Sequence, residues 1–226
     1  MTATKLATRA PFSAITLALI GLSVAAWIAT LAWARSAGMG AMPGTMGMNL
    51  VAFVVMWALM MTAMMLPSVG PFVGVYQRTI TESRLPRLLG LGLGYLAVWA
   101  AVGVVAFGIA TWFGDLAAGN ATTAQVVAVA TFALVGVYQL SPLKYRCLSH
   151  CRTPIGHLIH YLGFTGSWRD VRAGLSHGWF CLGCCWALMV LMVAFGVMNI
   201  AARIGLAAVI AIEKIWQHGE RFARVI

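Results

Sequence analysis

Charge is what this sequence has least of. Asp and Glu together number 5, and charged residues make up 9% of the 226-residue chain, against roughly a quarter in a water-soluble domain. Long polar intervals are also missing. The longest runs from about Leu143 to Ser176, which leaves no room for a soluble catalytic domain. No GK[ST] follows the glycines at Gly90, Gly92 and Gly94 and no strand precedes them, so a nucleotide loop is excluded. There is no HExxH zinc motif, no Ser/His/Asp order and no pair of in-membrane carboxylates, so hydrolase chemistry has no support. Haem attachment through Cys-x-x-Cys-His fails because Cys185 stands where the His is needed. A period of two over about ten residues is absent as well, which rules out a transmembrane β-barrel.

What the chain has instead is apolar residues, 62% of the total, gathered in runs long enough to cross a bilayer as helices of about 20 residues. The runs lie near 13–34, 50–69, 88–112, 122–140, 178–197 and 201–216. They predict an all-α, polytopic bundle of about six membrane helices in a single domain, with 143–176 as a cytoplasmic loop carrying Cys, His and Arg. Pro67-Ser68, Asp115 with Gly119-Asn120, and Ser141-Pro142 supply the expected breaks. The first run has the charged start of a signal peptide, yet its length exceeds the 7–15 residues of such a core, so it reads as a retained helix. The glycines at 90, 92 and 94 read as places where neighbouring helices approach closely.

The cations give an orientation. With both termini inside, thirteen of the fifteen Lys and Arg fall on the cytoplasmic side and only Arg35 and Arg203 outside. An odd number of spans would put the C-terminal cations on the wrong side. The expected location is therefore the bacterial inner membrane, and the net charge of +10 faces an anionic leaflet rather than nucleic acid.

All five cysteines lie between Cys147 and Cys185, the first pair in Cys147-Leu-Ser-His150-Cys151 and the others in Cys181-Leu-Gly-Cys184-Cys185, one turn after His177. In a reducing compartment thiols stay free, which favours metal binding or redox turnover over a structural disulfide. At 100° per residue, His177, Cys181, Cys184 and Cys185 share one side of a helix. Cys147 and Cys151 stack if their segment is helical. Together these thiols suggest a closed thiolate site, with His177 or a fifth cysteine as an exchange ligand. A Cys181–Cys184 dithiol exchanging with Cys147 or Cys151 is the enzyme-class alternative, although no thioredoxin-like pattern surrounds it.

Thirteen methionines accompany them. Met56, Met60 and Met64 form an i, i+4, i+8 ladder on the second run, Met189 and Met192 follow the cysteines, and Met39, Met42, Met46 and Met48 stand among outer-loop glycines. Thioethers are soft ligands suited to Cu(I); as core filler, methionine at helical spacing needs no metal at all. Glu213 is expected to pair with Lys214 or a loop arginine, Asp170 to pair with Arg169 and Arg172 in a solvated loop, and His157 and His160 to lie in the basic loop at the membrane surface.

The segments MWALMMTAMMLPSVGPF (56–72), YQLSPLKYRCLSHCRTP (138–154), HGWFCLGCCWALM (177–189), FGVMNI (195–200) and Glu213-Lys214 resemble a bacterial family of predicted metal-binding integral membrane proteins. The likeness spans about Val51 to Gly219. It implies a polytopic membrane protein with a metal site, and it carries over Cys147, Cys151, His177, Cys181, Cys184 and Cys185 as ligands. Cu(I) follows from ligand softness, with Zn(II) as the other occupant. The overall expectation is a binding protein rather than an enzyme: a membrane protein that handles, transports or delivers copper, with a metallochaperone or a larger membrane enzyme as the partner. Insertion of metal into such an enzyme, as an accessory subunit, is a third possibility.

Overall fold

In a computed structural model, residues 14–36, 44–152, 158, 161, 163–197 and 199–215 are described. They form seven α-helices: α1 (Ala14–Ser36), α2 (Leu50–Tyr76), α3 (Arg84–Gly119), α4 (Ala121–Gln139), α5 (Pro142–Arg152), α6 (Arg169–Ala194) and α7 (Ile200–Ile215). Five of them, α1 to α4 and α6, are long and apolar enough to cross a membrane. The chain is a multi-pass membrane protein with an all-α fold. His157, His160, Met39 and Met42 lie outside the described residues.

Helix ends follow local chemistry. Asn49 and Asn120 cap α2 and α4, each side-chain oxygen accepting the backbone N–H three residues on, Ala52 and Thr123, at 2.9 Å. The break expected at Pro67-Ser68 does not occur, and α2 continues to Tyr76 through Pro67 and Pro71. Pro67 cannot donate to the Ala63 carbonyl. The Ser23 hydroxyl of α1 takes that place, donating to Ala63 O at 2.6 Å, so the proline is absorbed without an unsatisfied group in the bundle.

The expected loop between the fourth and fifth runs holds structure at both ends. Pro142, pre-set at a first helical position, opens the short polar helix α5. Helix α6 begins at Arg169, nine residues before the apolar run, with Asp170 in its first turn. Asp170 is not in a solvated loop. It is buried, accepting from Tyr76 Oη at 2.6 Å and Arg87 Nε at 3.1 Å, with Arg169 Nε 3.8 Å away. A charged stretch reads as loop because burial of its carboxylate depends on partners on α2 and α3 that are distant in sequence. Helix α7 has 16 residues, about 24 Å at 1.5 Å per residue, somewhat short of the roughly 30 Å hydrocarbon core.

Helices α3 and α6 make the most extensive contact. They run parallel with two Gly-x-x-x-Gly pairs in register. A Cβ on Gly94 would stand 2.1 Å from the Val171 carbonyl oxygen, and one on Gly174 would stand 2.1 Å from that of Leu91. Gly90 and Gly178 border the same seam, whereas Gly92 has nothing within 4 Å. Helix α2 runs antiparallel to α6 along its other side, with the Phe72 ring stacked on His177 at 4.1 Å between centroids. Helix α6 packs in addition against α5, α4 and α7, and meets α2 through side chains such as Phe72.

Candidate metal centre

The core of the bundle is where the sulfurs are. Cys181, Cys184 and Cys185 are all buried on α6, as the shared helical face predicts. Cys184 Sγ and Cys185 Sγ both donate to the Cys181 carbonyl, at 3.0 and 2.9 Å, folding back on their own helix. Helix α5 brings the other two thiols across. Cys151 Sγ lies 3.9 Å from Cys184 Sγ. Cys147 sits over Gly183, where an added Cβ would come within 2.6 Å of its sulfur. The Tyr138 hydroxyl donates to the Gly183 carbonyl, so this glycine is the point at which α4, α5 and α6 meet. All five cysteines are free.

Two groups that the sequence did not single out as site residues lie against Cys181. The Tyr95 hydroxyl lies 3.1 Å from its sulfur. Lys214 Nζ donates to the same sulfur at 3.0 Å, and also reaches Ser68 Oγ at 3.4 Å and Met65 Sδ at 3.9 Å. Lys214 is therefore not the partner of Glu213. Glu213 Oε1 instead accepts from Lys144 Nζ at 2.6 Å, Gln139 joins both, and Arg152 Nε donates to the Glu213 carbonyl at 2.6 Å. Two adjacent residues at the end of α7 thus divide their work. Glu213 fastens α5, and Lys214 faces the thiols of α6. The signal that could have found Lys214 is its presence in an apolar run, where a cation requires a partner.

The outer two thiols titrate late. Burial pushes the Cys147 thiol up, helped by Cys184 nearby. Hydrogen bonds to Cys181 and Cys184, then burial, push Cys151 well up. Both are kept as neutral thiols at ordinary pH, and a metal must displace their protons.

His177 lies one turn before Cys181 and is buried, packed flat against Phe72 and 6.2 Å from Tyr95. Met56, Met60 and Met64 are buried in α2, as are Met61 and Met65. It is Met65, outside the i, i+4, i+8 ladder, whose sulfur reaches Lys214. Met189 and Met192 are buried in the same core cluster.

The donors gathered here are soft, five thiols and several thioethers, while the Glu213 carboxylate is engaged by Lys144. Among the described residues no three His, Cys, Asp or Glu side chains already stand in a metal-holding arrangement. The reason lies in the side chains. Cys184 and Cys185 spend their thiol hydrogens on the Cys181 carbonyl, and capture of a metal requires them to turn from it. The Cys151–Cys184 separation of 3.9 Å needs no backbone movement: two metal–sulfur bonds of roughly 2.3 Å span it at an angle of about 115°.

A family model described as PpoB2, copper chaperone, matches residues 54–226, which takes in most of α2, every later helix and all five cysteines. No curated protein and no solved structure matches the chain.

Proposed function

Because the chain belongs to the PpoB2 copper chaperone family, we propose that it binds Cu(I) through Cys151 and Cys184 within the membrane and passes it to an acceptor. In this scheme Cys147, Cys181 and Cys185 are reserve thiols through which the ion changes hands. The observation that carries the reading is the Cys151–Cys184 pair, 3.9 Å apart across two helices. Softness supports the metal: thiolates select Cu(I) over harder ions. Lys214, donating to Cys181, supplies a positive charge that steadies the thiolates before the metal arrives. His177, stacked on Phe72 one turn away, serves as an exchange ligand, and Met56, Met60 and Met64 line an approach through α2.

The cytoplasmic side is the direction of delivery. Helix α5 carries the exposed Arg146 and Ser149 beside the thiols, a surface for water or headgroups rather than lipid tails. The distribution of Lys and Arg supports that end lying inside in the bacterial inner membrane, with both termini cytoplasmic and α7 as the sixth crossing. A metallochaperone or a membrane enzyme is the partner on that side. The work is carriage of an ion, with no bond made or broken in a substrate.

The test is anaerobic Cu(I) titration of full-length protein in detergent, beside Cys151→Ser and Cys184→Ser. Each substitution is expected to weaken Cu(I) binding by well over tenfold. Unchanged affinity in both variants would refute the site, and preference for Zn(II) over Cu(I) would refute the metal. A second reading rests on the same pair: two thiols this close can also close to a disulfide, making the protein a thiol–disulfide exchanger. A mixed disulfide trapped with a partner in cells would favour it over copper carriage.

A further inference from the structure

The Lys214 ammonium rests between two sulfurs on different helices. Cys181 Sγ is 3.0 Å from Nζ and Met65 Sδ is 3.9 Å from it, so the two sulfurs stand at most 6.9 Å apart. Register brings them within one turn of each other. Phe72 of α2 faces His177 of α6, and the two helices run antiparallel with the same rise of about 1.5 Å per residue. Counting back along α2 while counting forward along α6 sets Ser68 beside Cys181 and Met65 beside Cys184. Ser68 Oγ, 3.4 Å from the same ammonium, agrees with that count.

We propose that Met65 and Cys181 form a second soft-metal site next to the Cys151–Cys184 pair, taking one monovalent ion of the Cu(I) type where the Lys214 ammonium now rests. The proposal builds on the copper reading above and adds a site that this reading does not need. The ammonium marks the place as one that accepts a single positive charge in a buried setting, since Met65 and Cys181 are both fully buried. A thioether adds no charge, so one thiolate and one thioether around Cu(I) make a neutral unit. Such a unit avoids the desolvation cost that a second thiolate would add. Met65 has three rotatable bonds to close the remaining distance, and Lys214 releases one proton as the ion arrives, so that one buried positive charge replaces another and the neutral amine withdraws on its flexible stem. With Cys184 one turn from Cys181, an ion at this site can pass to the Cys151–Cys184 pair by exchanging one sulfur at a time. Neither the metal nor any residue changes oxidation state in the step.

The experiment compares Met65→Leu with Met61→Leu, one turn away on α2 and equally buried, in full-length protein titrated with Cu(I) against a chromophoric Cu(I) chelator. Met65→Leu is expected to lose one bound ion, or to weaken the second binding step by at least tenfold, while Met61→Leu binds as wild type. Equal binding by Met65→Leu and wild type overturns the second site. Cys184→Ser in the same titration keeps the two ideas apart: loss of metal there, with no effect of Met65→Leu, leaves the Cys151–Cys184 reading standing alone. Absence of metal binding in wild type overturns both. A readout without substitution comes from wild-type protein carrying ¹³C-methyl methionine and titrated with Ag(I), a redox-silent stand-in for Cu(I). The Met65 methyl, assigned by its nuclear Overhauser contact to Lys214, is expected to shift. A Met65 methyl that stays in place while Ag(I) binds overturns the proposal even if Met65→Leu fails to fold.

Discussion

At the scale of single residues, the five thiols are not equivalent. Cys184 and Cys185 are tied to their own backbone and Cys181 to Tyr95 and Lys214, whereas Cys147 and Cys151 are held as neutral thiols by burial and by hydrogen bonding. This difference has a consequence for stability against pH. In the unfolded chain a cysteine loses its proton near pH 8.5, while in the fold these two keep theirs to higher pH. Their contribution is therefore fully present below about pH 8.5 and is lost as the pH rises toward the folded values. The thermal midpoint of the metal-free protein in detergent is expected to fall between about pH 8 and pH 10. A Cys147→Ser/Cys151→Ser double variant is expected to fall less over the same window, and identical slopes would count against this account. Some of this was legible in the sequence. The stripe of Cys181, Cys184 and Cys185 follows from helical spacing alone, and all three are buried. Lys214, Tyr95 and Met65 were not legible as neighbours of Cys181, because each comes from a different helix and no period in the chain connects them.

At the scale of helices, the seam between α3 and α6 is the tightest in the bundle and depends on absent side chains. Gly94→Ala or Gly174→Ala would drive a methyl to 2.1 Å from a carbonyl oxygen of the facing helix. The helices must then separate, at a cost of about 1–3 kcal/mol. Gly92→Ala, in open space on the same helix, is expected to be neutral or to stabilise by up to about 1 kcal/mol through helix propensity. Unfolding midpoints of the three variants in one detergent decide the matter; equal losses at all three positions would mean that the seam is not what holds the pair. The apolar runs announced which helices exist, and the glycines announced that a close approach occurs. Helix ends were harder to see. Pro67 looked like a stop because its missing N–H leaves the Ala63 carbonyl open, and only the tertiary contact from Ser23 closes it. Residues 169–177 looked like loop because the partners of Asp170 lie on α2 and α3.

At the scale of the whole molecule, α7 ends in a junction. Through Glu213 it holds Lys144 and Arg152 of α5, and through Lys214 it touches Ser68 and Met65 of α2 and Cys181 of α6. The Lys144–Glu213 pair is almost wholly buried, with side-chain exposures of 2% and 6%. Glu213→Leu strands the Lys144 ammonium and is expected to cost about 3–5 kcal/mol, whereas Lys144→Met combined with Glu213→Leu restores most of it. Chemical denaturation of the single and double variants checks this, and a double variant no more stable than Glu213→Leu would sink it. The glycine seam bears on the same junction. With backbone set against backbone, α6 has no slack in which to roll or slide against α3. The backbones of three of the five cysteines are thus placed before any ion arrives, and that share of the ordering entropy is met during folding rather than during capture. The other two sit on α5, which lies along α6 with His150 stacked on Phe180 at 4.0 Å and is fastened to α7 through the Glu213 junction. On the proposed reading, any loosening of that one short helix is expected to be felt as weaker metal capture, even with every sulfur left in place.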